Sequence, residues 1–335
     1  MIIRVTDPTH AGEARRHAAV LAQDANLGER ESGSLAIAVT EMVTNLVKHA
    51  GNGTMIVETV VNNGSSGVRL LGLDRGPGIR DLGSALRDGF STAGTGGNGL
   101  GAIKRLSSTF DIYTSPGNGT AVLAEFWPHQ KHKQHLGPIE VGVVSVPIKG
   151  EDICGDGWGV KKTAESMLLM VVDGLGHGVL AAEAAEEAHR IFRQVRTDSP
   201  SAILQDSHDA LKKTRGAAMA VASLNFEKQV LSFAGVGNIG ASIITPGSSR
   251  GIASHNGTIG HYLQRIQEFA FPWSSNSILV MYSDGLRSGW DLSSYPGIWS
   301  KHPGLIAGIL YRDFYRERDD VTVLVAKSRA EADLS

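Results

Sequence analysis

The stretch WPHQKHKQHLGP at 127–138 divides this chain in two. It is polar and basic, has a proline near each end and shows no apolar periodicity, so it reads as a linker over 128–139. Before it, 1–127 reads as one α+β domain. Helices are expected at 11–27 and 34–50, strands at 54–61 and 68–73, a helix at 100–106, and strands at 109–114 and 120–127. After it, 140–330 reads as a β-rich α/β layered domain. Its strands are expected at 140–148, 166–172, 217–225, 230–235, 277–282 and 321–326, with helices at 180–194 and 305–315. A length of 335 residues fits two domains of about 150 residues each.

The charge balance excludes several function classes. There are 34 acidic and 32 basic residues, for a net charge of −2 and a pI near 6.6. Such a chain is not a dedicated nucleic-acid binder or a polybasic membrane adhesin. With 41% apolar and 20% charged residues it has the means to fold. The single cysteine, Cys154, permits no internal disulfide and fits a reducing compartment. The N-terminus lacks the apolar core of a secretory signal, and no apolar run approaches the 18 residues of a membrane helix. The expected location is the cytoplasm.

At 100° per residue, the helix at 34–50 gathers Leu35, Val39, Met42, Val43 and Leu46 on one face. Glu41, Asn45 and Lys48 lie opposite, with His49 at the edge. Glu41 and Asn45 are four apart and point the same way. A carboxylate can act as a general base, and an amide oxygen can ligate Mg²⁺. For this helix alone, a solvated face explains the pattern as well. Three glycine-rich boxes then follow. They are Asp74-Arg75-Gly76-Pro77-Gly78 at a strand end, Gly94-Thr95-Gly96-Gly97-Asn98-Gly99-Leu100-Gly101 before a helix, and Gly117-Asn118-Gly119-Thr120 opening a strand. Such loops allow tight turns and present backbone amides to phosphates. Neither a Walker A sequence nor a supported dinucleotide fingerprint is present.

In this order the four boxes resemble the N, G1, G2 and G3 boxes of the GHKL ATPase/kinase superfamily, over essentially 1–127. The stretch DRGPGIRDLGSALRDGFSTAGTGGNGLGAIKRL is most similar to the small serine kinases of bacterial partner-switching cascades. The resemblance implies an α/β sandwich of the Bergerat type that binds ATP with Mg²⁺ under a short lid. Carried over by position, Asn45 would ligate Mg²⁺ and Glu41 would activate the acceptor hydroxyl. Asp74 would bond the adenine amino group, and Gly76 and Gly78 would shape its pocket. Gly97, Gly99 and Gly101, with Lys48 nearby, would serve the phosphates, and Thr120 would sit under the base. No phosphoacceptor histidine domain is present, and His49 reads as a helix C-terminal residue.

In the second half, acidic residues recur at strand ends. They are Asp152 and Asp156 in GEDICGDGW, Asp173 in VVDGLGHG, Asp284 in YSDGL, and Asp319 and Asp320 before VTVLV. A single Asp-Gly is usually a turn. Several converging carboxylates repel one another unless cations lie between them, and oxygen donors suit Mg²⁺ or Mn²⁺. The set resembles the PPM (PP2C-like) serine/threonine phosphatases of the SpoIIE/RsbX branch, over roughly 140–328. That implies an αββα sandwich and a two-metal centre. Asp173 would bridge both metals beside the Gly174 carbonyl, Asp156 would hold one, and Asp284 and Asp319 the other. Asp152 and Asp320 are the competing choices. His177 is a candidate acid near the leaving oxygen, or simply a loop residue. Cys154 reads as a packing residue, since no base pairs with it.

Both motif sets on one α/β chain imply a bifunctional regulator, with an ATP-dependent Ser/Thr kinase half and a metal-dependent phosphatase half. The resemblance makes a STAS-domain anti-anti-sigma or stressosome protein the expected substrate, a sigma factor or sigma-regulating phosphatase a further partner, and a homodimer an option. In the competing reading the first half is a non-catalytic nucleotide-binding or sequestering module. Glycine makes up 41 of the 335 residues, about 18 more than average usage gives. Fourteen of them fall in the nucleotide boxes or beside the acidic residues.

Overall fold

The computed structural model describes residues 1–62, 64–87, 99–128, 138–263 and 265–329. It forms two compact units: Met1–His135 with Gly297–Arg312, and Leu136–Pro296 with Asp313–Ser335.

Unit 1 begins with strand β1 (Ile2–Val5) and helices α1 (His10–Asp24) and α2 (Glu29–Ala50). It continues through β2 (Gly53–Asn62), β3 (Ser65–Leu73), a single turn α3 (Leu82–Ala85), α4 (Gly99–Leu106), β4 (Thr109–Thr114) and β5 (Thr120–Phe126). The strands form one antiparallel sheet in the order β1-β2-β3-β5-β4. Helix α2 starts five residues earlier than its apolar stripe suggests, because Glu29 and Glu31 favour the positive N-terminal dipole. It stops at Gly51, whose φ of +79° takes the left-handed turn that ends many helices. Leu35, Ala38, Val39, Met42, Val43 and Leu46 are its buried face, as the periodicity predicts. They pack on Val57, Val68, Leu70 and Phe126 of the sheet. Gly72 lets α2 come close, since a Cβ there would stand 2.8 Å from the Met42 side chain.

Unit 2 is two five-stranded antiparallel sheets. Its chain order is β6 (Ile139–Val146), β7 (Asp156–Lys162), β8 (Ser166–Gly174), α5 (Val179–Gln194), α6 (Pro200–Ala210), β9 (Ala217–Asn225) and β10 (Val230–Val236). Then come β11 (Gly240–Thr245), β12 (Ser248–Ile252), β13 (Phe269–Pro272), β14 (Ile278–Tyr282) and β15 (Val321–Ser328); between the last two strands the chain forms α7 (Pro303–Phe314), most of which belongs to unit 1. One sheet runs β13-β10-β9-β8-β7, the other β12-β11-β14-β15-β6. Alternate residues of the two sheets, among them Leu169, Val171, Phe233, Leu279, Met281 and Leu324, share one core. The other face of β8 supplies Leu168, Met170 and Val172 to a second core with Ala184, Ala188 and Phe192 of α5 and Ile203 and Leu204 of α6. This double burial explains why β8 reads as an unbroken apolar run rather than an alternating one. Gly157 and Gly159 in β7 face α5; a Cβ at Gly159 would stand 2.7 Å from the Phe192 ring. No helix among the described residues is long and apolar enough to cross a membrane.

Candidate functional site

In unit 2 the sheet registers gather the acidic residues. Asp156 at the start of β7 lies directly opposite Asp173 near the end of β8. Asp284 follows β14, and Asp319 and Asp320 precede β15, the two strands being paired neighbours. Hydrogen bonds lock these ends together. The Ser283 hydroxyl donates to Asp156 Oδ2 at 2.6 Å and accepts from the Thr322 amide at 2.8 Å. The Asn238 amide donates to Asp284 Oδ2 at 2.7 Å.

The neighbours left open by sequence differ in geometry. Asp320 is buried, and both of its oxygens accept from backbone amides, Ile148 N and Gly155 N, each at 2.7 Å. Among the described residues, Asp319 accepts only the amide of Asp320 on Oδ1, at 2.9 Å. Asp156 is buried, whereas Asp152 is exposed.

Electrostatics mark the cluster. Burial pushes Asp156 above the usual carboxylate range, against the Ser283 hydrogen bond and helped by Asp320 and Asp319. Burial raises Asp173 as well, reinforced by Asp156, Asp284, Asp319 and Asp320. Asp284 is raised by burial and by Asp319. Asp156, Asp173, Asp284 and Asp319, at strand ends of the two sheets, oppose one another and are a donor set that a divalent cation relieves. As they stand, no three acidic, histidine or cysteine side chains among the described residues form a ready-made coordination shell.

Glu151 and Arg215, beside these strand ends, escaped the sequence reading, whereas His177 was named by it. His177 Nδ1 lies 3.0 Å from Glu151 Oε1, on a loop whose Gly176 and Gly178 take φ of +91° and +73°. Arg215 lies just before β9, and a Cβ at Gly176 would meet its Nη1 at 3.1 Å. The β8–β9 register, pairing Gly174 with Ala217, is the one signal that brings Arg215 to the acidic end. The Cys154 thiol is pushed up to about 12 by burial and by Asp156 and Asp320, which removes it as a thiolate nucleophile.

In unit 1, α2 and α4 bring Glu41, Asn45 and Gly99 together. A Cβ at Gly99 would stand 3.1 Å from Asn45 Oδ1 and 3.6 Å from Glu41 Oε2. Asn45 Nδ2 is buried and finds no partner among the described residues. Lys48 is exposed on the same helix, and Gly101 is buried in α4. Asp74 closes β3, and its Oδ1 accepts from the amides of Gly76 at 2.8 Å and Thr120 at 3.0 Å. Burial raises its carboxyl, opposed by those two amides, Arg312 and His49. Gly119, at φ +77°, cannot be replaced freely, because a Cβ there would stand 2.1 Å from the Asp74 carbonyl oxygen. Gly78, at φ +70°, is held the same way against Ser115 O at 2.3 Å. Thr120 is buried, with its hydroxyl 3.1 Å from that of Thr114. Gly97 lies outside the described residues. The boxes separated in sequence thus form two clusters, Glu41–Asn45–Gly99 and Asp74–Gly76–Gly119–Thr120.

Known proteins divide along the same line. Residues 5–126 match the family model of the histidine kinase-like ATPase domain, and residues 163–329 that of the stage II sporulation protein E (SpoIIE). The serine/threonine-protein kinase RsbT of Bacillus subtilis (strain 168) is 33% identical over 114 residues, which is 34% of this chain and 86% of RsbT. The phosphoserine phosphatase RsbX of the same organism is 26% identical over 150 residues, 44% of this chain and 75% of RsbX. A solved chain from work on the bacterial stressosome, described as a modular system adapted to control secondary messenger signalling, superposes with a TM-score of 0.54 at 26% identity. That likeness covers 57% of this chain and 100% of the other. The chain therefore joins, in one polypeptide, a histidine kinase-like ATPase domain of the RsbT family to a PP2C-type serine/threonine phosphatase domain of the SpoIIE family.

Proposed function

We propose that the chain is a two-headed regulator of a bacterial partner-switching pathway. One half transfers phosphate from ATP to a serine or threonine of a STAS-domain protein, and the other removes phosphate from such a residue. The observation that carries the reading is the opposed carboxylate set at the strand ends of the two sheets of unit 2, on a chain whose other half keeps Glu41 beside Asn45 and Gly99.

In the phosphatase half, Asp173 would bridge two Mg²⁺ or Mn²⁺ ions with the Gly174 carbonyl beside it. Asp156 would hold one ion, and Asp284 and Asp319 the other. Asp320, with both oxygens engaged by amides, braces the 148–155 loop instead of ligating. When bound, such ions supply the Lewis acidity that activates a water toward phosphorus. Ser283 fixes the orientation of Asp156, and Asn238 that of Asp284. His177, held by Glu151, would give a proton to the departing serine or threonine oxygen. The Arg215 guanidinium, beside Gly176, would offer a cation to phosphoryl oxygens in a region otherwise rich in negative charge.

In the kinase half, Glu41 would take the proton of the acceptor hydroxyl, and Asn45 would turn its amide toward Mg²⁺. Asp74 would accept from the adenine amino group, with Gly76, Gly78 and Thr120 around the base. Gly97, Gly99, Gly101 and Lys48 would attend the phosphates.

The test uses the purified full chain. A STAS-domain protein is offered with ATP and Mg²⁺, and its phosphorylated form is offered separately with Mn²⁺. Phosphate incorporation abolished by Glu41→Gln, and release abolished by Asp173→Asn, are the expected results. A chain that leaves both the phosphoprotein and p-nitrophenyl phosphate untouched with Mn²⁺ sinks the phosphatase assignment. No incorporation by the unmodified chain sinks the kinase assignment, and incorporation that survives Glu41→Gln sinks the role of Glu41.

A further inference from the structure

Unit 1 contains a piece of chain from far downstream, Gly297–Arg312. Most of helix α7 lies in it, and every residue from Pro303 to Arg312 is buried. It is fastened at several separate points. The amide of His302 donates to Asp111 Oδ2 at 2.6 Å, and Lys301 Nζ pairs with Asp111 Oδ1 at 3.1 Å. Gly304 sits against the Arg69 guanidinium, where a Cβ would stand 3.1 Å from Cζ. That guanidinium is itself held by Glu125 at 2.8 Å and Glu58 at 3.3 Å. Gly308 sits against Leu71 of β3.

The last turn of the helix reaches the strand end that carries Asp74. Arg312 Nη1 donates to the Asp74 carbonyl oxygen at 3.0 Å, and the Arg75 guanidinium donates back to the Arg312 carbonyl. The peptide on the other side of Asp74 is held by its own amide, which donates to Thr120 O at 2.9 Å. Its Oδ1 is taken by Gly76 and Thr120, while Oδ2 receives no bond among the described residues. Asp74 is thus fixed from both peptide ends and on one oxygen, with the second oxygen left to face a ligand. The same backbone approach forbids a side chain at Gly119.

We propose that Arg312 is a positioning residue of the nucleotide site: it holds the backbone of Asp74 so that the carboxylate presents its free oxygen to the amino group of an adenine. Resting on the reading that Asp74 recognises the base, this makes adenine recognition in the kinase half depend on a side chain from the phosphatase half of the sequence. A fragment cut at the 128–139 linker would lack it. The guanidinium adds a second effect, since its charge favours the ionised form of the half-buried carboxylate, the form that accepts hydrogen bonds.

The test is calorimetric binding of ADP and of GDP to the full chain, because Asp74 can favour adenine only through its amino group. Arg312→Ala is expected to weaken ADP by about 10-fold, the scale of a charged hydrogen bond, and to leave GDP unchanged, so that base discrimination shrinks. Arg312→Lys keeps the charge and is expected to recover part of the discrimination, which also answers the question if the alanine variant fails to fold. Gly308→Ala is the control for helix docking. It places a Cβ 2.6 Å from the Leu71 side chain without touching the Arg312 bond, and should keep discrimination within about 2-fold. Discrimination unchanged in Arg312→Ala, or lost equally in Gly308→Ala, overturns the proposal. If the unmodified chain binds neither nucleotide, it is the nucleotide-site reading itself that falls.

Discussion

The two candidate centres are built on opposite principles. In unit 1 the site is made of room: Gly78 and Gly119 take left-handed conformations, and their missing side chains let carbonyls of Ser115 and Asp74 approach. In unit 2 it is made of conflict: Asp156, Asp173 and Asp284 are all held above their usual range by burial and by their acidic neighbours. A site of the first kind loses function when an atom is added. A site of the second kind loses function when a charge is removed, and gains stability from the same change.

The largest effect expected from that contrast is at Asp173. Asp173→Asn should lower phosphatase turnover by on the order of 10³-fold, the several kcal/mol that a cation clamp contributes. The metal-free variant should nonetheless melt higher than the parent, because the most opposed charge of the cluster is gone. A variant that loses both activity and stability would show that Asp173 is held by favourable contacts, and the contrast would break.

Gly119→Ala tests the other side. The added Cβ meets Asp74 O at 2.1 Å in a backbone region that L-residues avoid, so unit 1 should lose about 1–3 kcal/mol and its nucleotide affinity. Phosphatase turnover should stay at the parent level. Unchanged ADP binding would remove the G3 turn from the site.

The pH dependence follows from the same shifts. Asp156, Asp173 and Asp284 have folded-state pKa values above their unfolded ones, so the native state holds more protons across that window. Their contribution is fully present below the ordinary carboxylate pKa of about 4 and is lost as pH rises through the raised values. Metal-free protein should therefore show a unit 2 melting temperature that falls on going from acid to neutral pH, and Mn²⁺ should flatten the slope. Glu125 of unit 1 runs the other way. Despite burial, Arg69 holds it down to about 2, so its contribution is present at neutral pH and lost only in strong acid. Parallel slopes for the two transitions would contradict the distinction.

How much of this was legible in sequence depends on whether a feature is local. The apolar stripe of α2 and the strand-end acids are local, and both were readable. Strand β1 was not, being four residues at an edge with little pattern to show. Helix α6 was missed because Pro200–Ala210 mixes polar and apolar residues; the Ser199 cap and the Pro at its first turn were the available signals. In β7, Gly157 and Gly159 look like loop residues, and only the nearness of Ala185 and Phe192 explains them. Asp319 and Asp320 are indistinguishable by type, and separate only when backbone amides are seen to occupy both oxygens of Asp320. The helix in the downstream segment Gly297–Arg312 was readable, but its place in unit 1 has no sequence signal, since that depends on which surfaces meet.

The smallest effect sharpens the contrast most economically. Cys154 lies two residues before Asp156 and feels its charge and that of Asp320, its Sγ 3.7 Å from the Ser145 hydroxyl. Its thiol stays protonated up to about 12, so at neutral pH it adds no charge to the cluster. If unit 2 works through opposed charges alone, Cys154→Ala removes only a small packing group, costing about 1 kcal/mol or less, and leaves turnover and Mn²⁺ affinity at parent values. A drop of 10-fold or more in either would mean that the thiol takes part in the site, and that charge alone does not describe it.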